Sequence, residues 1–442
     1  MNLLLIIFFT IIFIVVAISK FKIHPFITLI LASIIVGFLM GLDGNTIIDK
    51  INEGFGNTLS SIGIIIAFGA IIGTFLEKSG GTGTMAKYLL KLIGNRKSPL
   101  AMNLTGILVS IPVFCDSGFI ILSSLNKALS KKTGISLITF VVALSTGLYV
   151  SHVFIPPTPG PLAAAAALNA DLGLVILLGI LLAIPTAFVG YLWALKSGKI
   201  LEIKETGKVV ETEEINDGKS SVFAVFLPII IPILLIGLRS IAKYPSQPFG
   251  DGIVFDIISF IGNPLVALFI GILFAVNLVE RKTPIKIRLN WVTSALKEAG
   301  VIILITGAGG AFGSILRSGN LAEIIGTEFS GLQAGIFLPF ILAAILKTAQ
   351  GSSTVAIITA ATIIAPMMDV LGLDSEMSRA LAVLAVGAGA MTVSHINDSY
   401  FWVVSQFSGM DTKTTLKSHS VATLFQGITA IAILSIIQIF FT

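Results

Sequence analysis

Long apolar runs fill this chain, and short polar breaks separate them. Runs over 2–19, 24–41, 58–77, 135–170, 172–195, 221–242, 253–279, 299–316, 376–408 and 420–441 are each near or above the length that crosses a bilayer as a helix, ~20 residues. The pattern predicts an all-α polytopic membrane protein with about ten crossings. Two runs, 135–170 and 376–408, are too long for one simple crossing, and each carries a polar or proline-rich interruption near its middle. These are expected to be broken transmembrane helices. Segments 99–127 and 331–370 each place apolar arms on both sides of a short polar knot.

Charge placement decides how the two knotted segments lie. Basic residues favour cytoplasmic loops. Lys78, Lys87, Lys91, Arg96 and Lys97 precede segment 99–127, and Lys127, Lys131 and Lys132 follow it. With both flanks inside, that segment enters and returns as a re-entrant hairpin. Segment 331–370 is flanked by Glu323, Glu328, Asp369, Asp374 and Glu376, which suit the outside. The second hairpin is therefore expected to enter from the opposite face. Lys20 and Lys22 follow the first apolar run rather than precede it, so Met1–Ser19 reads as a retained helix and not a cleaved signal. This topology places both termini outside, and the polar stretch 196–220 becomes a cytoplasmic linker.

The two halves resemble each other. His24-Pro25-Phe26 opens one helix, and Asn263-Pro264-Leu265 opens another 239 positions later. Lys78-Ser79-Gly80 and Arg317-Ser318-Gly319 end their helices at the same offset, and Val150-Ser151-His152 matches Val393-Ser394-His395. We read residues 1–195 and 221–442 as two repeats. Each has an odd number of crossings, so the repeats are inverted. Inverted repeats whose broken helices meet near the midplane are a transporter architecture.

Composition agrees with lipid as the solvent. The 442 residues are 55% hydrophobic and 12% charged, against about a quarter charged in soluble chains. No stretch is long or polar enough for a separate soluble domain. Cys115 is the single cysteine, which excludes an intramolecular disulfide.

The chemistry should sit where the helices break, because unpaired backbone at membrane depth must face protein or a watery cavity. The two hairpin tips, 112–118 and 347–354, and the two breaks, 150–161 and 393–399, are the candidate stretches. Half-helix N-termini present free N–H groups and partial positive charge to a carboxylate. Ser117, Ser352, Ser353 and Thr354 begin the returning arms, and their hydroxyls can replace water around a polyol. Ser151, Thr158 and Asn397 add polar groups at the breaks, and Lys347 can pair with a substrate carboxylate. Asp116, Asp398, His152 and His395 are the candidates for proton coupling, since each can exchange a proton in a water-poor site. Taken singly, the Ser/Thr clusters equally suit helix-packing contacts. Asp116 and Asp398 can also serve as helix caps, and Lys347 can snorkel to the surface.

Other function classes find less support. Thr306-Gly307-Ala308-Gly309-Gly310 lacks the Gly-Lys-Ser/Thr of a phosphate loop, which argues against ATP-driven transport. An integral membrane enzyme would need a reactive set, for which His152, His395, Asp116 and Asp398 can be imagined, but none of them has metal-site spacing. Opposed hairpins disfavour a passive channel, which needs a continuous pore. No cofactor and no nucleic-acid partner is implied.

At these motifs the chain resembles the gluconate permease family of gluconate:proton symporters. The similarity runs nearly end to end. It includes Phe68-Gly69-Ala70, Lys78-Ser79-Gly80-Gly81, Phe114-Cys115-Asp116-Ser117-Gly118-Phe119, and Ser151-His152 with the Pro156–Pro161 stretch. It continues through Gly351-Ser352-Ser353-Thr354-Val355-Ala356, Ser394-His395-Ile396-Asn397-Asp398 and Phe401-Trp402. The resemblance implies uptake of gluconate or related acids with protons across a bacterial inner membrane. Some relatives carry other small acids such as D-serine. It also implies membership of the larger ion-transporter superfamily, with hairpins and broken helices in a mobile, elevator-type transport domain and commonly a homodimer. The chain departs from the family pattern beside the proposed site. Asp116 stands where Glu is frequent, Thr158 where His is frequent, and Ser399-Tyr400 where Pro-Gly is usual. A shorter acid such as glycerate therefore suits it equally, and sodium remains an alternative coupling ion through carbonyls and hydroxyls at Gly351–Thr354.

Overall fold

The computed structural model describes residues 20–94, 97–201, 221–243, 248–280, 282–318, 335–396 and 398–441, with positions 6, 9, 10, 12–14, 16 and 17 of the first run. Every regular element among the described residues is helical. The first half holds α1 (Pro25–Leu39), α2 (Gly44–Lys78), α3 (Gly81–Ile93), α4 (Ser98–Val109), α5 (Cys115–Thr133), α6 (Leu137–Phe154), α7 (Pro159–Ala167) and α8 (Leu172–Ile200). The second half holds α9 (Val222–Ala242), α10 (Ile253–Ile261), α11 (Pro264–Asn277), α12 (Ile285–Ser318), α13 (Phe337–Gln350), α14 (Ser353–Ile364), α15 (Glu376–Met391) and α16 (Ser399–Ser408). The short helix α17 (Thr412–Thr415) then runs through one π-helical turn, Leu416–Ser420, into α18 (Val421–Phe441).

Local chemistry sets these boundaries. Proline at the first helical position costs no hydrogen bond and presets φ. Accordingly α1 starts at Pro25 with His24 Nδ1 accepting from the Phe26 N–H, and α11 starts at Pro264 with Asn263 accepting from the Leu265 N–H. The helix α2 begins at Gly44, well before the expected position 58, because Asp43 caps it by accepting from the Asn45 and Thr46 N–H groups. Its early polar residues Asp49, Asn52, Glu53 and Asn57 point to solvent, so the apolar run marks only its second half.

Burial is arranged for lipid. On α8 the exposed large side chains between Leu177 and Leu192 are Leu177, Leu181, Ile184, Phe188 and Leu192, one face at helical spacing. The same is true of Ile230, Leu234, Leu238 and Ile241 on α9, and of Leu265, Phe269 and Leu273 on α11. An apolar stripe turned outward is stable only where the surrounding medium is hydrocarbon. At the centre, every residue of Ile138–Phe154 in α6 and of Ala380–Met391 in α15 is buried. A helix apolar on all sides belongs inside a bundle.

Six described helical segments are long and apolar enough to cross a bilayer: Gly44–Lys78, Leu137–Ala167, Leu172–Ile200, Val222–Ala242, Ile285–Leu316 and Thr412–Phe440. The pair α10 and α11, bent by 63° at their junction, makes a seventh if it is one span. The expectation of about ten counted three further runs. Run 2–19 lies largely outside the described residues. The α1 helix has only 15 residues, about 22 Å at 1.5 Å per residue. Run 376–408 is divided by residues 392–398 into helices of 16 and 10 residues. The chain is a multi-pass membrane protein.

Both expected interruptions are present. Residues 155–158 separate α6 from α7, and residues 392–398 separate α15 from α16. The two polar knots are also turns between helices, 110–114 before α5 and Gly351-Ser352 before α14. Two glycines of α2 admit the interruptions of the first half. A Cβ on Gly69 would lie 3.1 Å from the Pro157 carbonyl oxygen, and one on Gly73 would overlap the Pro112 carbonyl.

Candidate binding site

Three interruptions and the end of α6 converge on one cavity of about 240 Å³. Phe114, Cys115 and Asp116 line it from the first tip, His152 from the end of α6, Ser352–Val355 from the second tip, and Asp398, Ser399 and Tyr400 from the second break. Val301, Ile302 and Ile305 of α12 form an apolar wall, joined by Ile358 of α14.

Two half-helices open toward this space. Phe114 precedes α5 without a side-chain cap, so the first-turn N–H groups of that helix have no capping side chain. At α14, Ser352 accepts from the Val355 N–H. Thr354 Oγ1 and His152 Nε2 are 3.2 Å apart, which ties the second tip to the end of α6. Two buried polar atoms at the cavity have no hydrogen-bond partner among the described residues: Asp116 Oδ1 and His152 Nδ1. Unpaired buried polar atoms are expensive, and a site that takes up a polar solute is one place where they persist.

Asp398 is the best-connected group. Its carboxylate accepts from Lys347 Nζ at 2.5 Å and Ser394 Oγ at 2.5 Å, and caps α16 by accepting from the Tyr400 N–H at 3.1 Å. Lys347 Nζ also donates to the Gly351 carbonyl at 3.0 Å and lies 5.8 Å from the Tyr149 ring centroid. The preceding Val393 has φ of 56°. That left-handed conformation costs a β-branched residue on the order of 1–3 kcal/mol. The Ser394 N–H, donating to Thr423 Oγ1 at 2.9 Å, fastens the strained turn to α18.

Of the sequence-derived candidates, Asp116, His152, Ser352, Ser353, Thr354 and Asp398 come together at the cavity. Lys347 lies behind it, 1% exposed and paired with Asp398, rather than reaching for the surface. Ser117 is on the first turn of α5 but outside the lining. Ser151 donates to the Ile107 carbonyl at 2.7 Å and fastens α6 to α4. Thr158 donates to the Ile155 carbonyl at 2.6 Å within its own turn. His395 is half-buried and outside the lining, and Asn397 is outside the described residues.

Sequence reasoning gave no role to His419, which is fully buried within hydrogen-bonding reach of Ser394. Its local signal was poor, because Lys417-Ser418-His419-Ser420 reads as a polar loop. A single π turn instead rotates the imidazole inward.

The profile of the family described as GntP family permease matches residues 1–440. The chain belongs to the GntP permease family. The permease is 34% identical over 417 residues to a gluconate permease of Pseudomonas aeruginosa, covering 92% of this chain and 91% of that one. It is 32% identical over 429 residues to the D-serine transporter DsdX of Escherichia coli K12, covering 96% and 95%. Among solved structures, it is similar to MtrF of Neisseria gonorrhoeae, with a TM-score of 0.67 at 15% identity over 96% of each chain. It is also similar to YdaH of Alcanivorax borkumensis, with a TM-score of 0.63 at 13% identity over 94% and 98%. At such identities the structural likeness speaks to the fold alone. The permease is a transporter and not an enzyme.

Proposed function

We propose that the permease imports gluconate or a related small hydroxy-acid anion with protons, across an inner membrane with both termini outside. The single observation that carries this reading is the cavity where two half-helix N-termini meet an unpartnered Asp116 carboxylate oxygen. The N-termini suit the substrate carboxylate. The hydroxyls of Ser352, Ser353 and Thr354 suit its polyol chain.

The charges supply a reason for coupling. Lys347 and Asp398 neutralise each other, which leaves Asp116 as the charge at the cavity that an anion must approach. An anion beside an ionised Asp116 is repelled, whereas an anion beside a protonated one is not. Proton and anion binding therefore favour each other, and by linkage each raises the affinity for the other. Sodium coupling has less support, because the Gly351 carbonyl already accepts from the Lys347 ammonium.

We further read the chain as two inverted repeats, 1–195 and 221–442, each with a re-entrant hairpin and a broken helix, working by elevator-type alternating access. The order of elements supports this. A proline-started short helix, a long helix, a helix–turn–helix, a broken helix and a long terminal helix recur in each half.

A thermal-shift screen of gluconate, glycerate and D-serine on the purified permease tests the substrate class. A ligand of the folded state raises the melting temperature with concentration. A rise with a hydroxy acid, smaller in Thr354→Val at the same concentration, is expected. No shift with any of the three acids contradicts the reading.

A further inference from the structure

We propose that His419 is a positioning residue that sets the proton affinity of Asp398 by fixing the Ser394 hydroxyl upon it. The inference rests on the reading above in one respect, that the cavity lined by Asp116 and Asp398 is the transport site.

The geometry is a buried line of three groups. His419 Nε2 lies 3.3 Å from Ser394 Oγ, and Ser394 Oγ donates to Asp398 Oδ2 at 2.5 Å. On the other side of the ring, Nδ1 lies 3.1 Å from Ser145 Oγ. His419, Ser394 and Ser145 are each 0% exposed. The ring is held by Tyr149 and Tyr400, whose centroids are 6.4 and 5.4 Å away, and the Tyr400 hydroxyl donates to the Ser145 carbonyl at 3.0 Å.

Proton counting assigns the tautomer. Ser394 has one hydroxyl proton, and Asp398 takes it. The His419 contact with Ser394 Oγ must then be a donation from Nε2–H. The neutral ring has no proton left for Nδ1, which accepts from Ser145 when that hydroxyl turns from its other acceptor, the Val142 carbonyl at 3.2 Å. Every donation in the line thus points toward Asp398. A proton on Asp398 meets a Ser394 hydroxyl that His419 restrains from turning away.

Other groups facing Asp398 are Lys347 of α13, Asp116 and Cys115 of α5, His152 and Tyr149 of α6, Tyr400 of α16, and His395 of its own turn. Around His419, Lys413 and Lys417 are exposed, as are Lys196 and Lys199 of α8, and α18 carries no titratable residue. None of them replaces the donation from Nε2.

The test needs no substrate. Infrared difference spectra of purified permease are titrated with pH, following the protonated-carboxyl stretch that Asp398→Asn removes. Loss of a hydrogen bond to a charged group is worth about one pH unit or slightly more. The midpoint is expected to rise by about that much in Ser394→Ala, and by less in His419→Phe, which keeps the Ser394 hydroxyl. His419→Gln, which keeps an N–H, should stay near wild type. The double variant should move no further than Ser394→Ala, because His419 acts through Ser394. A His419→Phe midpoint equal to wild type, or additive shifts in the double variant, would overturn the proposal. Should His419→Phe fail to fold, a Ser394→Ala midpoint equal to wild type overturns it alone. Failure of gluconate uptake with these shifts present would count against the transport reading only.

Discussion

Lys347 Nζ lies 2.5 Å from the Asp398 carboxylate, and their side chains are 1% and 3% exposed. The pair joins the end of α13 to the start of α16, so it clasps the second tip to the second break. Removing one partner of a buried pair leaves the other charge without compensation, which costs about 3–5 kcal/mol. Lys347→Met and Asp398→Asn should each lower the melting temperature of the purified protein markedly. The double variant should be more stable than the sum of the single losses predicts, with a coupling above about 1 kcal/mol. Additive losses would show that the two side chains do not act as a pair.

The close approach of α2 to the first tip gives a second test. A Cβ at position 73 would overlap the Pro112 carbonyl, whereas one at position 69 would sit 3.1 Å from the Pro157 oxygen. Overpacking a tight core costs about 1–3 kcal/mol. Gly73→Ala should destabilise the protein and reduce uptake, and Gly69→Ala should do so less. Comparing the melting temperatures and uptake of the two variants checks this order.

At the cavity, Thr354 Oγ1 and His152 Nε2 hold the second tip against α6. A neutral hydrogen bond of this kind is worth about 1 kcal/mol, or roughly a fivefold change in affinity. Thr354→Val should cost about 1 kcal/mol of stability through the lost His152 contact and, by removing a hydroxyl from the cavity, weaken ligand binding by about that factor. Titration calorimetry with the best ligand of the acid screen measures it.

Much of this site was legible before any coordinates. Proline and paired Ser/Thr residues inside apolar runs marked where helices must break, and the breaks brought Asp116, His152, Asp398 and Ser352–Thr354 to one cavity. The sequence could not show what Lys347 faces, because a lysine near a helix end snorkels or pairs according to its neighbours. Ser151 and Thr158 had the right chemistry, but each spends its hydroxyl on a nearby carbonyl. His419 was hidden for a different reason. Its inward direction comes from one π turn, which no apolar periodicity announces. The span count suffered similarly, since a 15-residue α1 and a divided run 376–408 have the composition of crossings without the continuous length.

The central claim is that a proton at Asp116 and an anion in the cavity move together. Purified permease in proteoliposomes, given labelled gluconate and an imposed gradient with the acid side at the substrate, tests this directly. The account predicts accumulation above equilibrium that a protonophore collapses and that Asp116→Asn abolishes. Accumulation that ignores the pH gradient, or that persists unchanged in Asp116→Asn, would contradict it.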